Sequence, residues 1–259
     1  MKTIHSTAAK LAMAAAASTW LLSSLQTAYA QDSWDFRLTP YLWFAGLNGD
    51  VATIPGSPSV PIDVSPSDAL QDTEASFMTL FEAKKQGRGV FVDFFYSDVQ
   101  SNTELVPAIN LLLKSTSKTT MITAAYLQEF RNENHTVAEW FAGARYWEID
   151  TDLEFGGGLG VLAGRKVSHS ESWVDPVLGI KGRTPLGESN WYLSGGAAIG
   201  GFGVGADSLI DISVNLGYQF NKTIGASVGY RFYDLDYEDD GFTYDVKQDG
   251  LTAALAFAF

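Results

Sequence analysis

Three consecutive stretches near the C-terminus repeat their side-chain character every second residue, and a period of two fixes the backbone as strand. Ile210, Ile212, Val214, Leu216, Tyr218 and Phe220 alternate with Asp211, Ser213, Asn215, Gly217 and Gln219. Ile224, Ala226, Val228, Tyr230 and Phe232 then alternate with small or polar neighbours, as do Leu251, Ala253, Leu255, Phe257 and Phe259. Each stretch has one apolar face along its whole length. The pattern recurs upstream and gives ten candidate strands at 34–45, 74–86, 88–101, 117–131, 136–151, 169–184, 190–203, 208–220, 222–237 and 244–259. Most reach ten residues or more, which suits a tilted crossing of a bilayer better than a globular sheet.

The connections carry separate information. Tight links at 86–88, 132–135, 186–189 and 221–222 alternate with links at 46–73, 102–116, 152–168, 204–207 and 238–243, three of them long. Short turns at one end and longer loops at the other mark an up-and-down antiparallel β-barrel. The expected fold is therefore all-β, a transmembrane barrel of about ten strands. Eight or twelve stay open, because 48–64 could add a hairpin around Pro55-Gly56. A soluble β-sandwich is the alternative; the strand lengths and one-sided loops count against it.

Residues 1–30 read as an export signal rather than part of the fold. Lys2 and Lys10 precede an Ala- and Leu-rich core over 11–22, and Ala28 and Ala30 bracket a cleavage site before Gln31. The barrel domain is then 31–259, and removing two lysines takes the formal charge from -13 to -15. An acidic chain is a poor partner for nucleic acid. The absence of cysteine excludes a disulfide scaffold, a zinc ribbon and thiol catalysis. No run of about 18 apolar residues is present, which excludes a helical span.

The last strand, Gly250-Leu251-Thr252-Ala253-Ala254-Leu255-Ala256-Phe257-Ala258-Phe259, resembles the C-terminal strand of the outer-membrane β-barrel superfamily of Gram-negative bacteria, with its terminal aromatic and alternating apolar residues. The stretches 141–147 and 173–179 resemble recurring strands of poorly characterised barrels in that group. The resemblance implies an outer-membrane location, with Gly250, Leu255, Phe257 and Phe259 as an assembly signal read by the barrel-assembly machinery. Outer-membrane lipid and lipopolysaccharide would be the surrounding partners.

If the apolar rows face lipid, alternation sends Arg37, Glu82, Lys84, Asp93, Glu129, Arg131, Arg145, Asp175, Lys181, Asp211 and Arg231 into the lumen. Both signs occur in similar number, and opposite charges can pair in a narrow interior. Arg131, Lys181 and Asp211 lie near strand ends and could equally sit in solvent at the rims. A periplasmic aromatic girdle is expected from Trp34, Phe36, Trp191, Tyr218, Phe220, Phe257 and Phe259, and an outer one from Phe44, Tyr96, Tyr146 and Trp173.

Chemistry finds little footing. His135 falls in a turn, and His169 in Ser168-His169-Ser170-Glu171 has neighbours that point to the opposite face. An omptin-type protease would need acidic pairs with a rim histidine, and no matching motif appears. The acidic run Asp234, Asp236, Glu238, Asp239 and Asp240 reads as a solvated rim or as a Ca²⁺ site bridging to lipopolysaccharide. Ser65-Pro66-Ser67-Asp68 reads as the start of a short helix over 66–71. No cofactor is expected. The sequence points to a non-enzymatic envelope protein with a narrow or charge-plugged lumen; a small diffusion channel for polar solutes and a lipid- or peptide-processing enzyme are the alternatives.

Overall fold

The computed structural model describes residues 33–106, 111–157 and 164–259. The signal read into 1–30 lies outside the described residues. The elements are β1 (Asp35–Ala52), β2 (Val60–Val64), α1 (Pro66–Asp72), β3 (Thr73–Lys85), β4 (Arg88–Val106), β5 (Leu111–Glu133), β6 (Thr136–Gly157), β7 (Lys166–Pro185), β8 (Trp191–Gly201), β9 (Ser208–Gln219), β10 (Ile224–Asp239) and β11 (Phe242–Ala258). Ten strands close into an antiparallel ring in chain order, with β1 pairing to β3 on one side and to β11 on the other. At the end nearest the short turns every strand of the ring is paired on both sides, the condition for backbone polar groups to survive without water.

The hairpin weighed around Pro55-Gly56 exists but adds no member to the ring. The ladder between β1 and β3 stops at Pro40↔Thr79, and β2 takes β3's place beside β1 from Leu47↔Val64 to Val51↔Val60. The helix foreseen after Ser65 fills the seam, against β1 and β4, instead of crossing the mouth. Its cap is the expected one: the Ser65 side chain accepts from the Asp68 amide at 3.2 Å, and Pro66 opens the first turn.

One end of the barrel is built from tight turns. Gln86-Gly87 and Asn134-His135 each hold two successive residues at positive φ, the geometry whose twist matches paired strands. Asn221 accepts from the Thr223 and Ile224 amides, both at 2.9 Å. The other end is uneven. β8 and β9 are 11 and 12 residues long, whereas β5 and β6 run to 23 and 22. Much of the expected loops at 102–116 and 152–168 is therefore strand. Those extensions carry opposite charges across the ladder, Lys118↔Asp150 and Lys114↔Glu154, so pairing there rests on polar cross-strand contacts. The link at 238–243 is likewise only Asp240-Gly241, again with both φ positive.

The exterior carries an apolar band near the short-turn end. Leu42, Val92, Trp140, Leu178, Ile199, Val214, Val228 and Leu251 all point outward and are exposed. Aromatic rings gather along its lower margin: Phe36 stacks between Trp34, Phe81 and Phe259 at 6.4, 6.1 and 5.8 Å, and Trp191 meets Tyr218 edge-on at 5.1 Å. Trp173 does not belong to the opposite girdle. It points inward, is buried, and stacks on Tyr237 at 3.8 Å.

Above the band the polarity inverts. On β10 the outward row changes from Val228, Tyr230 and Phe232 to Asp234, Asp236 and Glu238, while the inward row changes from Arg231 to Tyr233, Leu235 and Tyr237. β6 does the same, with Glu148, Asp150 and Asp152 outside and Trp147 and Ile149 inside. The tall half is thus built like a water-soluble barrel with an apolar core, and the banded half is turned inside out.

Candidate functional site

The lumen is stacked in three tiers. Nearest the short turns, alternation on β3, β6 and β7 brings Glu82, Lys84, Glu139 and Lys181 to one level. Lys84 donates to Glu139 at 2.7 Å and lies 3.7 Å from Glu129; Lys181 pairs with Glu82 and lies 3.6 Å from Glu139; Arg37 reaches Glu82 at 4.0 Å. Lys181 also sits over the Phe91 ring, 5.1 Å from its centre. Arg183 stacks on Tyr192 at 3.5 Å and donates to Gln219 at 2.7 Å. A Cβ on Gly217 would run into the Tyr192 ring, so glycine makes room for that stack.

The second tier crosses the barrel at mid-height. Arg231 grips Asp211 with two bonds, Nε to Oδ1 at 2.9 Å and Nη2 to Oδ2 at 2.7 Å. Arg145 donates to the same Oδ2 at 2.9 Å and, through Nε, to Thr123 at 2.8 Å. Tyr41 donates to Asp93 at 2.9 Å, and Arg231 stands over the Trp43 ring at 4.8 Å. Two guanidiniums held by one carboxylate, with bidentate geometry on one side, form the arrangement that best compensates the desolvation of buried charge.

The third tier is apolar and aromatic. Met121, Ile149, Leu209, Tyr233, Leu235, Phe242 and Val246 are each at most 2% exposed, and Trp147 stacks on Trp173 at 5.8 Å. The short loop between β8 and β9 turns into this tier: Ala206 is fully buried and donates its amide to Asp175 Oδ1 at 2.7 Å, while Trp173 Nε1 donates to Oδ2 at 3.0 Å. Among the described residues, the buried Trp43 Nε1 and Trp147 Nε1 lie close to the junction of the upper tiers without a hydrogen-bond partner, as does Thr151 Oγ1 farther out on β6.

Of the lumen residues named from sequence, Arg37, Glu82, Lys84 and Glu129 fall in the first tier, and Asp93, Arg145 and Arg231 in the second. Asp175 departs from the charge network: its oxygens are taken by an indole and a backbone amide, so it anchors a loop. Arg131 is at the rim, pairing with Glu133 at 3.6 Å with both side chains exposed. Lys181 and Asp211 are interior, because β9 begins low on the barrel and its fourth residue already lies at mid-height. Glu139, Tyr41 and Arg183 were not singled out, although each shares parity with a named neighbour: Arg145 on β6, Arg37 on β1 and Lys181 on β7.

On β11, Leu255 and Phe259 face outward, and Phe259 exchanges both backbone bonds with Phe36 at 3.0 Å, sealing the ring at its final residue. His135 occupies its turn. His169 lies 3.1 Å from Glu171, which accepts from Tyr237 at 2.9 Å, and its ring rests on Phe242. Ser168 and Ser170 lie on the opposite face of β7, so no serine–histidine pair forms.

The acidic run occupies the outer face of β10 beyond the apolar band. Asp234 pairs with Lys247 at 3.1 Å, and Asp236 stands across the ladder from Asp245. Partial burial, then Asp245, Asp207, Glu238 and Asp234 in turn, push the Asp236 carboxyl above its ordinary range. Its ionisation therefore opposes folding: the relative stability is fully present below the unfolded carboxyl's range and is lost as pH rises through the folded one. Asp236→Asn is expected to stabilise the protein by about 0.2–1 kcal/mol at neutral pH and to leave it unchanged near about pH 3. Urea unfolding of both proteins at the two pH values checks this; an equal gain at both contradicts it.

No protein-family model matches the sequence, and the search of curated proteins gives no match. Among solved structures, the outer membrane protease OmpT from Escherichia coli aligns with a TM-score of 0.55 at 10% identity, over 92% of this chain and 100% of that one. The attachment invasion locus protein Ail of Yersinia pestis, in complex with the heparin analogue sucrose octasulfate, aligns at 0.38 and 11% identity over 88% and 100%. The translocator domain of the autotransporter NalP from Neisseria meningitidis aligns at 0.44 and 9% identity over 97% and 96%. At such identities the likeness speaks for fold and not for activity, and the OmpT alignment alone carries weight. The chain has a closed, ten-stranded antiparallel β-barrel fold like that of the outer membrane protease it aligns with.

Proposed function

We propose that this protein is a non-enzymatic component of the outer membrane whose lumen is closed. The supporting observation is the third tier: Tyr233, Leu235, Phe242 and Val246, at most 1% exposed, occupy the interior of the tall half above a layer of paired arginines and aspartates. The apolar band faces acyl chains and the aromatic rings mark the headgroup level. Both chain ends and the short turns face the periplasm, and the acidic tall end faces outward toward lipopolysaccharide. The strand ending at Phe259 is what the assembly machinery would read. Purified protein in planar bilayers is expected to give no stable openings, whereas stepwise conductance from the unaltered chain would overturn the closed reading.

A diffusion channel for polar solutes is the second reading, favoured by a cavity of about 360 Å³ in the periplasmic half. The same recording decides between them. A processing enzyme around His169 finds support only in the His169–Glu171–Tyr237 contacts; a lipid or peptide hydrolysis that survives His169→Ala would dispose of it.

A further inference from the structure

The cavity in the periplasmic half has a composition that neither structural role requires. Six cations line it, Arg37, Lys84, Arg145, Lys181, Arg183 and Arg231, against four carboxylates, Glu82, Asp93, Glu139 and Asp211. The wall is therefore two charges positive, or one with Glu129 beside Lys84 counted, in a chain whose formal charge is -13, and it gathers six of the chain's 17 Lys and Arg. The placement of the charges strengthens the bias. The Arg37 side chain is 39% exposed over a Glu82 that is 7% exposed, and Lys84 and Lys181 are 22% and 21% exposed over a Glu139 at 5%. Nearest the short turns the carboxylates therefore lie behind the cations, so an entering ligand meets ammonium and guanidinium groups first; at mid-height the order reverses, with Asp93 and Asp211 at 14% and 11% against Arg231 and Arg145 at 9% and 5%.

The other side of the cavity is different. β8 to β11 contribute Ser194, Ser213, Asn215, Ser227 and Thr252, short side chains that create the space and offer donors and acceptors along its length. At the inner end stands Arg145, 4% exposed and held by Asp211 and Thr123. A cleft with low-dielectric walls focuses the field of such a charge excess and concentrates counter-ions. A volume of about 360 Å³ lies at the lower end of the range of small-molecule sites.

We propose that the periplasmic half of the lumen is a binding pocket for a small hydroxylated organic anion, its carboxylate or phosphate directed to the exposed cations Arg37, Lys84, Lys181 and Arg183 and its hydroxyls to the β8–β11 wall. The pocket goes beyond the closed-barrel reading and stands whether or not the outer half conducts.

Isothermal titration of the full barrel in detergent, with gluconate, glycerol 3-phosphate and glucose as probes, tests it. One or both anions are expected to bind with one-to-one stoichiometry, the better of them identifying the preferred acid group. Glucose is expected to bind at least about tenfold more weakly, the factor that about 1.4 kcal/mol of charge recognition supplies. Raising the salt is expected to weaken the anion, as for any partly exposed charge pair. Ser213→Leu fills the cavity without removing a charge and is expected to abolish binding; Arg183→Gln, at the rim, is expected to weaken it several-fold and covers the case in which the larger side chain prevents folding. Saturation by neither anion, equal binding of glucose, or unchanged affinity in a folded Ser213→Leu or Arg183→Gln protein would each overturn the proposal.

Discussion

Replacing Asp211 with alanine is expected to cost about 3–5 kcal/mol of unfolding free energy, among the largest effects available to a single substitution in this chain. The reason lies in the partners left behind. Arg231 loses two bonds and Arg145 one, and the nearest remaining carboxylate, Asp93, is 4.0 Å from Arg231 and already accepts from Tyr41. Two interior guanidiniums are then left with Asp93 as their one nearby counter-charge among the described residues. The loss measures that exposure, not the net worth of the trio. Replacing all three along with Asp93, which would otherwise lose its arginines, as Asp211→Leu, Arg145→Met, Arg231→Met and Asp93→Asn, is therefore expected to restore most of the stability. Reversible urea unfolding in lipid or detergent, followed by tryptophan fluorescence, supplies both numbers. A loss of under about 1 kcal/mol for Asp211→Ala would mean that water reaches the tier and that the ion layer is no barrier.

Trp173→Ala is expected to cost about 3–5 kcal/mol, the usual range for deleting a large buried aromatic. Trp173 stacks on Tyr237 at an interplanar angle of 7° and on Trp147 at 13°, spanning the gap that the short β8 and β9 leave between β7 and β10. It also fixes Asp175, which holds the inward loop through Ala206. The two roles separate by substitution. Trp173→Phe keeps a ring in the stack and leaves the carboxylate one donor short, so it is expected to cost about 1–3 kcal/mol. Unfolding free energies of the two variants, with protease cleavage within 202–207 as a local readout, distinguish them. Equal losses would show that the indole nitrogen carries the role and the stack does not.

The closed fold and nearly all strand positions were legible because the band imposes a period of two with a consistent outward face. The strand extensions on β5 and β6 were not, because the cue there changes. Beyond the band the outward row is charged and hydroxylated, as in Lys114, Thr116 and Lys118 facing Glu154, Asp152 and Asp150, and such stretches look like loops to any reading that follows apolar rows. The same blindness hid the aromatic tier. Tyr233, Leu235 and Tyr237 lie on the parity that sends Arg231 into the lumen, so following parity past the point where the acids begin would have revealed an apolar interior above a charged one. Glu139 was recoverable by that rule as well. The role of Asp175 was not, since it depends on where a loop 31 residues later folds, and β8 and β9 had to be known to be short before Asp211 could be placed at mid-height.

The alternation itself is the claim on which all of this rests, and an accessibility scan along β9 tests it most directly. The chain contains no cysteine, so single cysteines at 209–218 can each carry a nitroxide in lipid vesicles. Collisions with dissolved oxygen, which concentrates among acyl chains, are predicted to be high at Ile210, Ile212, Val214, Leu216 and Tyr218 and low at the residues between them. A flat profile, or one in which the polar positions report lipid, would contradict the account.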